Sequence, residues 1–366
     1  MKILCVIDSL GSGGAQRQLI ELALGFKNSY GFDVSFLIYY EDLFYKDILD
    51  ENGISVKIIS ETNYFKRLCK MRNYIRNGNF DNVISFLEAS SFICEISGLP
   101  FRKWGLIVGE RSANPAIYKS MKLRLYRYFH FFADYVVANS KENIDMVKKI
   151  NPYLSSSKLK VIYNIVDLQR WKPNYASDSR FLDRRFRLLV IASLRKLKNL
   201  KGLVEGIRLL GEKSKNIIID WYGDSIKEPY IDSSFPEDLE LIRKYKLNDV
   251  FNFYQATLSI NEKVKDYDAI GLFSLYEGLP NAVCEGMASG KTVISSQVSD
   301  VSYFINDDNL LFNPNNPNEI ALTLEYLLNL QKENLEKIGI RNRQTAEKLF
   351  SREEILESYC SLMKMV

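Results

Sequence analysis

Short runs of apolar residues alternate with segments of helical periodicity from one end of the chain to the other. In the first half the runs fall at residues 3–7, 34–40, 56–59, 83–86, 106–108, 135–138 and 161–163. Several are continuous Val, Ile, Leu and Phe, as in strands that helices cover on both faces. Between the first two runs, Leu19, Leu22, Ala23 and Phe26 recur at helical spacing and predict a helix over 15–27. The second half restarts the pattern with runs at 188–192, 217–222, 250–254, 270–273, 292–295 and 310–312, and residues 318–365 read as almost entirely helical. Such alternation predicts parallel sheets with crossover helices. The expected fold class is α/β, with two Rossmann-like, doubly wound domains facing a central cleft and ligands at the carboxyl ends of the strands.

The length of 366 residues suits two domains. Residues 167–187 are polar, carry Pro173 and show no clean period, so the boundaries expected are 1–168, a linker at 169–186, 187–345, and a terminal helical piece at 346–366. A composition of 46% hydrophobic and 26% charged residues excludes disordered and collagenous chains. Lys+Arg 49 against Asp+Glu 45 gives a net charge of +4, too balanced to argue for nucleic acid. No window reaches the ~18 apolar residues of a membrane span, and the run at 3–7, closed by Asp8, is too short for a secretory signal. Five scattered cysteines without a CxxC pair speak against a zinc cluster or disulfide framework and fit a reducing cytoplasm. The single histidine, His130, excludes chemistry that needs two, and its aromatic surroundings from Tyr126 to Phe132 read as packing.

Two loops are candidates for chemistry. The first, Asp8-Ser9-Leu10-Gly11-Ser12-Gly13-Gly14-Ala15-Gln16-Arg17, joins the first strand to the first helix. Its glycines allow a positive-φ turn, and the helix N–H groups then form a phosphate seat; a plain tight turn is the competing reading. It matches neither the Walker loop nor the dinucleotide GxGxxG pattern. The second runs from Phe273 to Gly290, with Glu277, Gly278, Leu279, Pro280, Asn281 and Glu285 where a buried strand gives way to a helix. Pro280 pre-sets the first helical turn, and two carboxylates beside an anion-favouring helix end suit a ligand with both phosphates and hydroxyls. Asp266-Tyr267-Asp268 is a DxD tripeptide, but one tripeptide supplies too few hard ligands for a divalent cation, so it reads as a helix-to-strand boundary.

The spacing Glu277-x7-Glu285, within Glu-Gly-Leu-Pro-Asn and Glu-Gly-Met-Ala-Ser-Gly, resembles the signature of retaining glycosyltransferases of family four, which have the GT-B fold. Gly13-Gly14-Ala15-Gln16-Arg17 is similar to that family's amino-terminal loop, and Ser193-Leu194-Arg195-Lys196-Leu197-Lys198-Asn199 to its phosphate-binding segment. Tyr163-Asn164-Ile165-Val166-Asp167 resembles its Asn-Gly-Val-Asp, with Ile165 in place of the glycine. The resemblance implies that Glu285 holds the donor ribose and that Glu277, with the Gly278–Asn281 backbone, holds the donor sugar and distal phosphate. It implies that Arg195 and Lys198 neutralise the diphosphate, with Lys201 as a competitor because the family often has its arginine where Ser193 stands. For these basic residues a solvated loop is the competing reading. Where relatives carry a histidine, this chain offers Arg111, and a simple Glu110–Arg111 ion pair is the alternative.

The expected function is transfer of a sugar from a UDP- or GDP-linked donor to a glycan or lipid-linked glycan acceptor in bacterial surface polysaccharide synthesis, with retention and without a metal or other cofactor. In that reading residues 1–168 form the acceptor side, 187–345 bind the donor, and the terminal helix packs back on the first domain. A non-catalytic sugar-nucleotide-binding scaffold and a sugar-nucleotide epimerase on the same fold are the rivals; for the epimerase the necessary acid and base groups are not identifiable. Basic and apolar residues mix from Tyr64 to Arg72 and from Tyr118 to Phe132. These stretches lead us to expect a cytoplasmic protein with peripheral contact on the inner membrane face, against the alternative that their apolar faces are core.

Overall fold

The computed structural model describes residues 1–173, 185–223, 234–257 and 259–364; of the expected linker, 174–184 lie outside the described residues. The chain divides into two compact units, Met1–Ile165 with Arg352–Val366, and Val166–Ser351. In the first unit the strands are β1 (Lys2–Val6), β2 (Asp33–Ile38), β3 (Ser55–Ile58), β4 (Asn82–Phe86), β5 (Gly105–Glu110), β6 (Tyr135–Ala138) and β7 (Leu159–Val161). They pair in parallel in the order β3-β2-β1-β4-β5-β6-β7.

The pleat of β1 explains why its run is continuous rather than alternating. Ile3 and Cys5 point into one core with Leu19, Leu22 and Phe26 of the helix Gly14–Tyr30, while Leu4 and Val6 enter another with Met71, Ile75 and Ile93. Each such side chain contributes roughly 1.5–3 kcal/mol on full burial. The first helix outlasts its apolar face, because Asn28–Tyr30 complete a turn that ends only at Gly31. That residue has φ +65 and returns its N–H to the Lys27 carbonyl at 3.0 Å, a cap that favours glycine.

β7 lies two residues earlier than its apolar run at 161–163. Leu159 is the residue that packs beside Val136, Val161 is 37% exposed, and the ladder ends when Ile162 donates to the Ala138 carbonyl. The helical tail is several helices rather than one. Pro317–Asn329 and Lys332–Leu349 belong to the second unit, whereas Arg352–Lys364 belongs to the first. Its Ile355, Leu356 and Tyr359 are buried against the helix Gly14–Tyr30, so closely that a Cβ on Gly25 would lie 2.5 Å from Leu356 Cδ1.

The second unit repeats the plan with β8 (Phe186–Ile191), β9 (Ile217–Tyr222), β10 (Phe251–Tyr254), β11 (Ala269–Leu272), β12 (Thr292–Ser296) and β13 (Leu311–Phe312). Their order is β10-β9-β8-β11-β12-β13, all parallel. Chain direction across each sheet therefore reverses beside β1 in one unit and beside β8 in the other. At such switch points the loops leaving adjacent strands diverge and open a crevice.

Candidate active site

In the second unit the loops leaving β8 and β11 flank the switch point. The loop after β8 winds into a single 3-10 turn, Lys196–Lys198, closed by Asn199 at φ +59, a conformation asparagine tolerates better than most residues. Asn199 also accepts the Gly202 N–H at 3.1 Å, capping the helix Leu200–Leu209, and donates to the Pro314 carbonyl at 2.8 Å. The loop after β11 is tied to this turn by Leu275, whose N–H donates to the Leu197 carbonyl at 2.9 Å. As a result Lys198 Nζ donates to Glu277 Oε1 at 2.5 Å, and the Ser274 hydroxyl donates to the same oxygen at 2.7 Å. The pair keeps contact with solvent, with 20% of the Lys198 and 15% of the Glu277 side chain exposed.

Beyond Glu277 the chain passes through buried Gly278, Leu279 and Pro280, and the Ser299 hydroxyl fixes this turn by donating to the Gly278 carbonyl. Pro280 is the cap of the helix Asn281–Ala288 rather than its first residue, with φ −77 and ψ 107. Proline offers no side-chain oxygen, so the first N–H groups of this helix lack a side-chain cap from that position. Asn281 is half-buried, Val283 and Met287 are fully buried, and Glu285 is 5% exposed. Of the basic candidates, only Lys198 is brought to Glu277; Arg195 and Lys201 are exposed on either side of the 3-10 turn.

Two features of this region escaped sequence reasoning. Tyr222 and Tyr254, at the carboxyl ends of β9 and β10, stack at 4.7 Å between centroids and 18° between planes. The pair is 32 residues apart in sequence and adjacent only through strand pairing, so no local pattern signals the stack. The close backbone approach at Gly223 is the other. A Cβ there would lie 1.8 Å from the Ala192 carbonyl oxygen, which also accepts the Trp221 indole N–H at 2.6 Å, so the backbones leaving β8 and β9 touch. Its neighbour Asp224 lies outside the described residues. Asp266-Tyr267-Asp268 is indeed a helix-to-strand boundary, in which Asp268 accepts the Arg187 N–H at 2.7 Å and Tyr267 donates to Asp220 at 2.8 Å.

In the first unit the loop after β1 departs from expectation. Gly11, Gly13 and Gly14 do not adopt positive φ. A Cβ on Gly11 would stand 2.2 Å from an Asp42 carboxylate oxygen, and one on Gly13 2.2 Å from the Gln16 amide oxygen, so a larger residue at either position would push one of these side-chain ends aside. Gly13 and Gly14 are exposed at the start of the helix, but the loop also holds Asp8, which accepts from Ser9 N–H at 2.7 Å and Gln16 Nε2 at 2.9 Å. Burial lifts the Asp8 pKa above the ordinary carboxylate range. Asp8, with Asp42 beside Gly11 from the segment after β2, makes this loop a better partner for hydroxyls than for phosphate.

Glu110 and Arg111, at the end of β5, do not pair with each other. Arg111 lies over the Phe86 ring at 3.7 Å, donates to the Tyr359 hydroxyl at 2.6 Å and to Asn164 at 3.3 Å, and leaves its buried Nε without a partner. Glu110 turns the other way, to Arg127 at 2.8 Å and His130 at 2.8 Å, and the opposite nitrogen of His130 meets Glu95 at 2.7 Å. Burial alone would discharge His130, but Glu95 and Glu110 on either side outweigh it and hold its pKa up at about 9. Against burial, Arg127 and His130 together hold Glu110 down at about 2. The packed ring expected at His130 is thus an imidazolium inside a buried ion cluster. Next to it Leu87 takes φ +72 and ψ 148 at the carboxyl end of β4, a strained backbone costing of order 1–3 kcal/mol for a non-glycine residue. Nothing in the residue type signals that strain.

Residues 172–345 match the family model described as Glycosyl transferases group 1. Over its whole length the chain is 26% identical to an α-1,4-N-acetyl-D-galactosaminyltransferase of Campylobacter jejuni acting on an undecaprenol-diphosphate-linked glycan, covering 99% of that protein. Its fold is similar to Anabaena HepE in complex with UDP-glucose, with a TM-score of 0.86 at 17% identity over 100% of both chains. It is similar too to sucrose-phosphate synthase of Thermosynechococcus elongatus, with a TM-score of 0.83 at 15% identity over 100% of this chain and 98% of that one. The two parallel-sheet, Rossmann-like units are the GT-B architecture of these neighbours. Family model and relative together support the group 1 glycosyltransferase family, and with it sugar transfer as the general activity.

Proposed function

We propose that this protein is a retaining glycosyltransferase that moves a hexosyl or N-acetylhexosaminyl group from a UDP- or GDP-linked donor to a lipid-linked glycan of a bacterial surface polysaccharide. The observation that carries the reading is the meeting of Lys198 and Glu277 at the switch point of the second unit, beside the N-terminus of the helix Asn281–Ala288. Sugar transfer breaks an anomeric C–O bond while negative charge grows on the departing diphosphate, so the site must supply fixed positive charge there. In the free protein Lys198 is held by Glu277. When donor binds, Glu277 accepts hydrogen bonds from sugar hydroxyls and Lys198 turns its charge to the phosphate. Arg195, Lys201 and the positive end of the helix Asn281–Ala288 add to it, and this reading assigns the diphosphate to them rather than to a metal. Glu285 takes the ribose, and the Tyr222–Tyr254 stack offers an aromatic face to the base. In the first unit, Gly13 and Gly14 leave space for the donor or acceptor sugar, and Arg111 stands at the carboxyl end of β5 as a further polar contact.

The acceptor's lipid anchor motivates a peripheral membrane contact through the first unit. Among the described residues no helix is long and apolar enough to cross a membrane. The helices Tyr64–Asn77 and Met121–Phe129 meet through Tyr64 and Tyr126, and they expose Phe65 at 71%, Met121 at 85% and Leu125 at 49% beside Lys66, Lys122 and Arg124. These apolar side chains are not core, although Arg127 of the same stretch is wholly buried in the ion cluster and belongs to no surface. Each exposed basic residue near anionic lipid adds about 1 kcal/mol.

The decisive experiment gives the purified chain a panel of nucleotide sugars and a lipid-linked glycan. Turnover with the anomeric configuration kept is expected. Donor binding without turnover would leave the scaffold reading, and interconversion of the free donor the epimerase. Glu285→Ala should weaken nucleotide binding in calorimetry without unfolding the chain; unchanged affinity removes the ribose role. Sedimentation with anionic and neutral vesicles at low salt tests the membrane contact, and equal, negligible pelleting would end that part alone.

A further inference from the structure

In a parallel sheet covered on both faces, strands are apolar on both faces. The sheet of the first unit breaks this rule at one edge. β3 alternates, with Val56 and Ile58 packed on the core and Ser55 and Lys57 exposed on the opposite face. Beside them Ser35 of β2 replaces the leucine and valine found further in. Across from this polar strip stands the helix Tyr64–Asn77, and between them lies an open groove of about 1070 Å³. Ser35, Ser55, Lys57, Ser60, Asn73 and Asn77 line it, and none of their side chains hydrogen-bonds to another of the described residues.

The remaining lining narrows the chemistry. Lys70 is paired with Glu61 at 2.7 Å, and Lys2, still a cation, is tied to the Gly78 carbonyl at 3.0 Å, so with Lys57 and Asp33 the lining carries three cations against two carboxylates. A surplus of one charge, with carboxylates of Asp33 and Glu61 in the same lining, is a weak selector for an anion. Hydroxyls and amides that both donate and accept match a ligand made of hydroxyls, and Tyr74, half-buried at 6.1 Å from Phe80, gives an apolar ring for the flat face of a sugar. The strip along β3 is roughly 10 Å long at the usual rise per residue, more than one sugar ring. Past it, Ile59, Ser60 and Glu61 carry the groove to the carboxyl end of β3, the end of the sheet at which the loop after β1 also emerges.

We infer that this groove is a second carbohydrate site, which holds a segment of a neutral or N-acetylated oligosaccharide away from the reacting sugar. It goes beyond the proposed transfer and uses none of Glu277, Glu285 or Lys198. The test is calorimetry or saturation-transfer NMR on the full chain with two probes, maltotetraose and chitotetraose. At least one should bind with a roughly millimolar Kd, unaffected by saturating UDP-sugar. The double variant Asn73→Ala, Asn77→Ala, at two exposed helix positions, should weaken it about tenfold, and Lys57→Met by less. Turnover of donor with a short acceptor should stay at the wild-type level, so failure of the groove and failure of the transfer reading are separable. Binding of neither probe, displacement by UDP, or equal affinity in the double variant would overturn the inference. Self-association that the double variant abolishes would also overturn it, by giving the groove to a second copy of the chain.

Discussion

The two units treat charge in opposite ways. The first encloses it: the side chains of Arg127, His130, Glu95 and Glu110 are 0–4% exposed and answer one another. The second leaves its central pair at the loop edge, with Lys198 at 20% and Glu277 at 15%. Hydrogen-bond lengths in the two places are alike, so distance does not distinguish them; access to water does. Charges shut inside a core have no substitute partner, because removing one strands the others in a low dielectric. Charges at a solvated edge exchange partners at little cost. The buried cluster therefore serves the scaffold, and the edge pair is the one equipped to handle a ligand.

That contrast breaks most readily at Arg127. Arg127→Met leaves Glu88 without its cation and Glu110 with His130 alone, and should cost about 3–5 kcal/mol. In thermal denaturation that corresponds to a Tm lowered by roughly 2–4 °C per kcal/mol for a unit of this size. Nucleotide affinity measured below the transition should not change, and an unaltered Tm would erase the distinction drawn here.

Titration gives a second, somewhat smaller effect. His130 is held at about 9 in the folded chain, above its ordinary value near 6.5. Its contribution is therefore complete below about pH 6.5 and lost as the pH rises through about 9. Urea denaturation at stepped pH should show stability falling by a few kcal/mol across that window, and His130→Gln should flatten the curve. A wild-type profile already flat there would show that the imidazole is neutral.

At the edge pair the effect falls on rate rather than stability. Lys198→Ala should lower kcat about 10–100-fold, the worth of one charge-assisted hydrogen bond of roughly 1.5–3 kcal/mol. Its Tm should stay close to wild type. A variant that lost several degrees but kept its turnover would reverse the roles of the two regions. Lys201→Ala is the smallest change expected, within about 0.5 kcal/mol in stability and about twofold in turnover. A larger fall in its turnover than in that of Lys198→Ala would move the diphosphate contact onto the following helix.

Strand–helix alternation was legible because buried parallel strands declare themselves as apolar runs, and β1, β4 and β11 lie where those runs lie. The edges were harder to read. At β7, Leu159 and Val161 share one short ladder with polar neighbours, and the apolar Ile162 and Tyr163 drew the eye past its end. For the site, sequence located the loop of Glu277 and Glu285 but not what fixes it. Ser299, Asn199 and Leu275 act through hydroxyl, cap and backbone bonds between segments distant in sequence. No local pattern encodes such bonds. The same limit hid the cluster around His130, whose partners Glu95 and Glu110 come from a different helix and strand.

The helix Arg352–Lys364 closes the core of the first unit although the whole second unit separates it from Ile165. During synthesis the second unit is complete and free to fold while the first still lacks Leu356 and Tyr359 over the helix Gly14–Tyr30. The amino-terminal half, though made first, is thus the last to finish, and until then it exposes an apolar strip to aggregation or to chaperones. A chain cut just before residue 352 would keep every residue of the second unit and fail in the first.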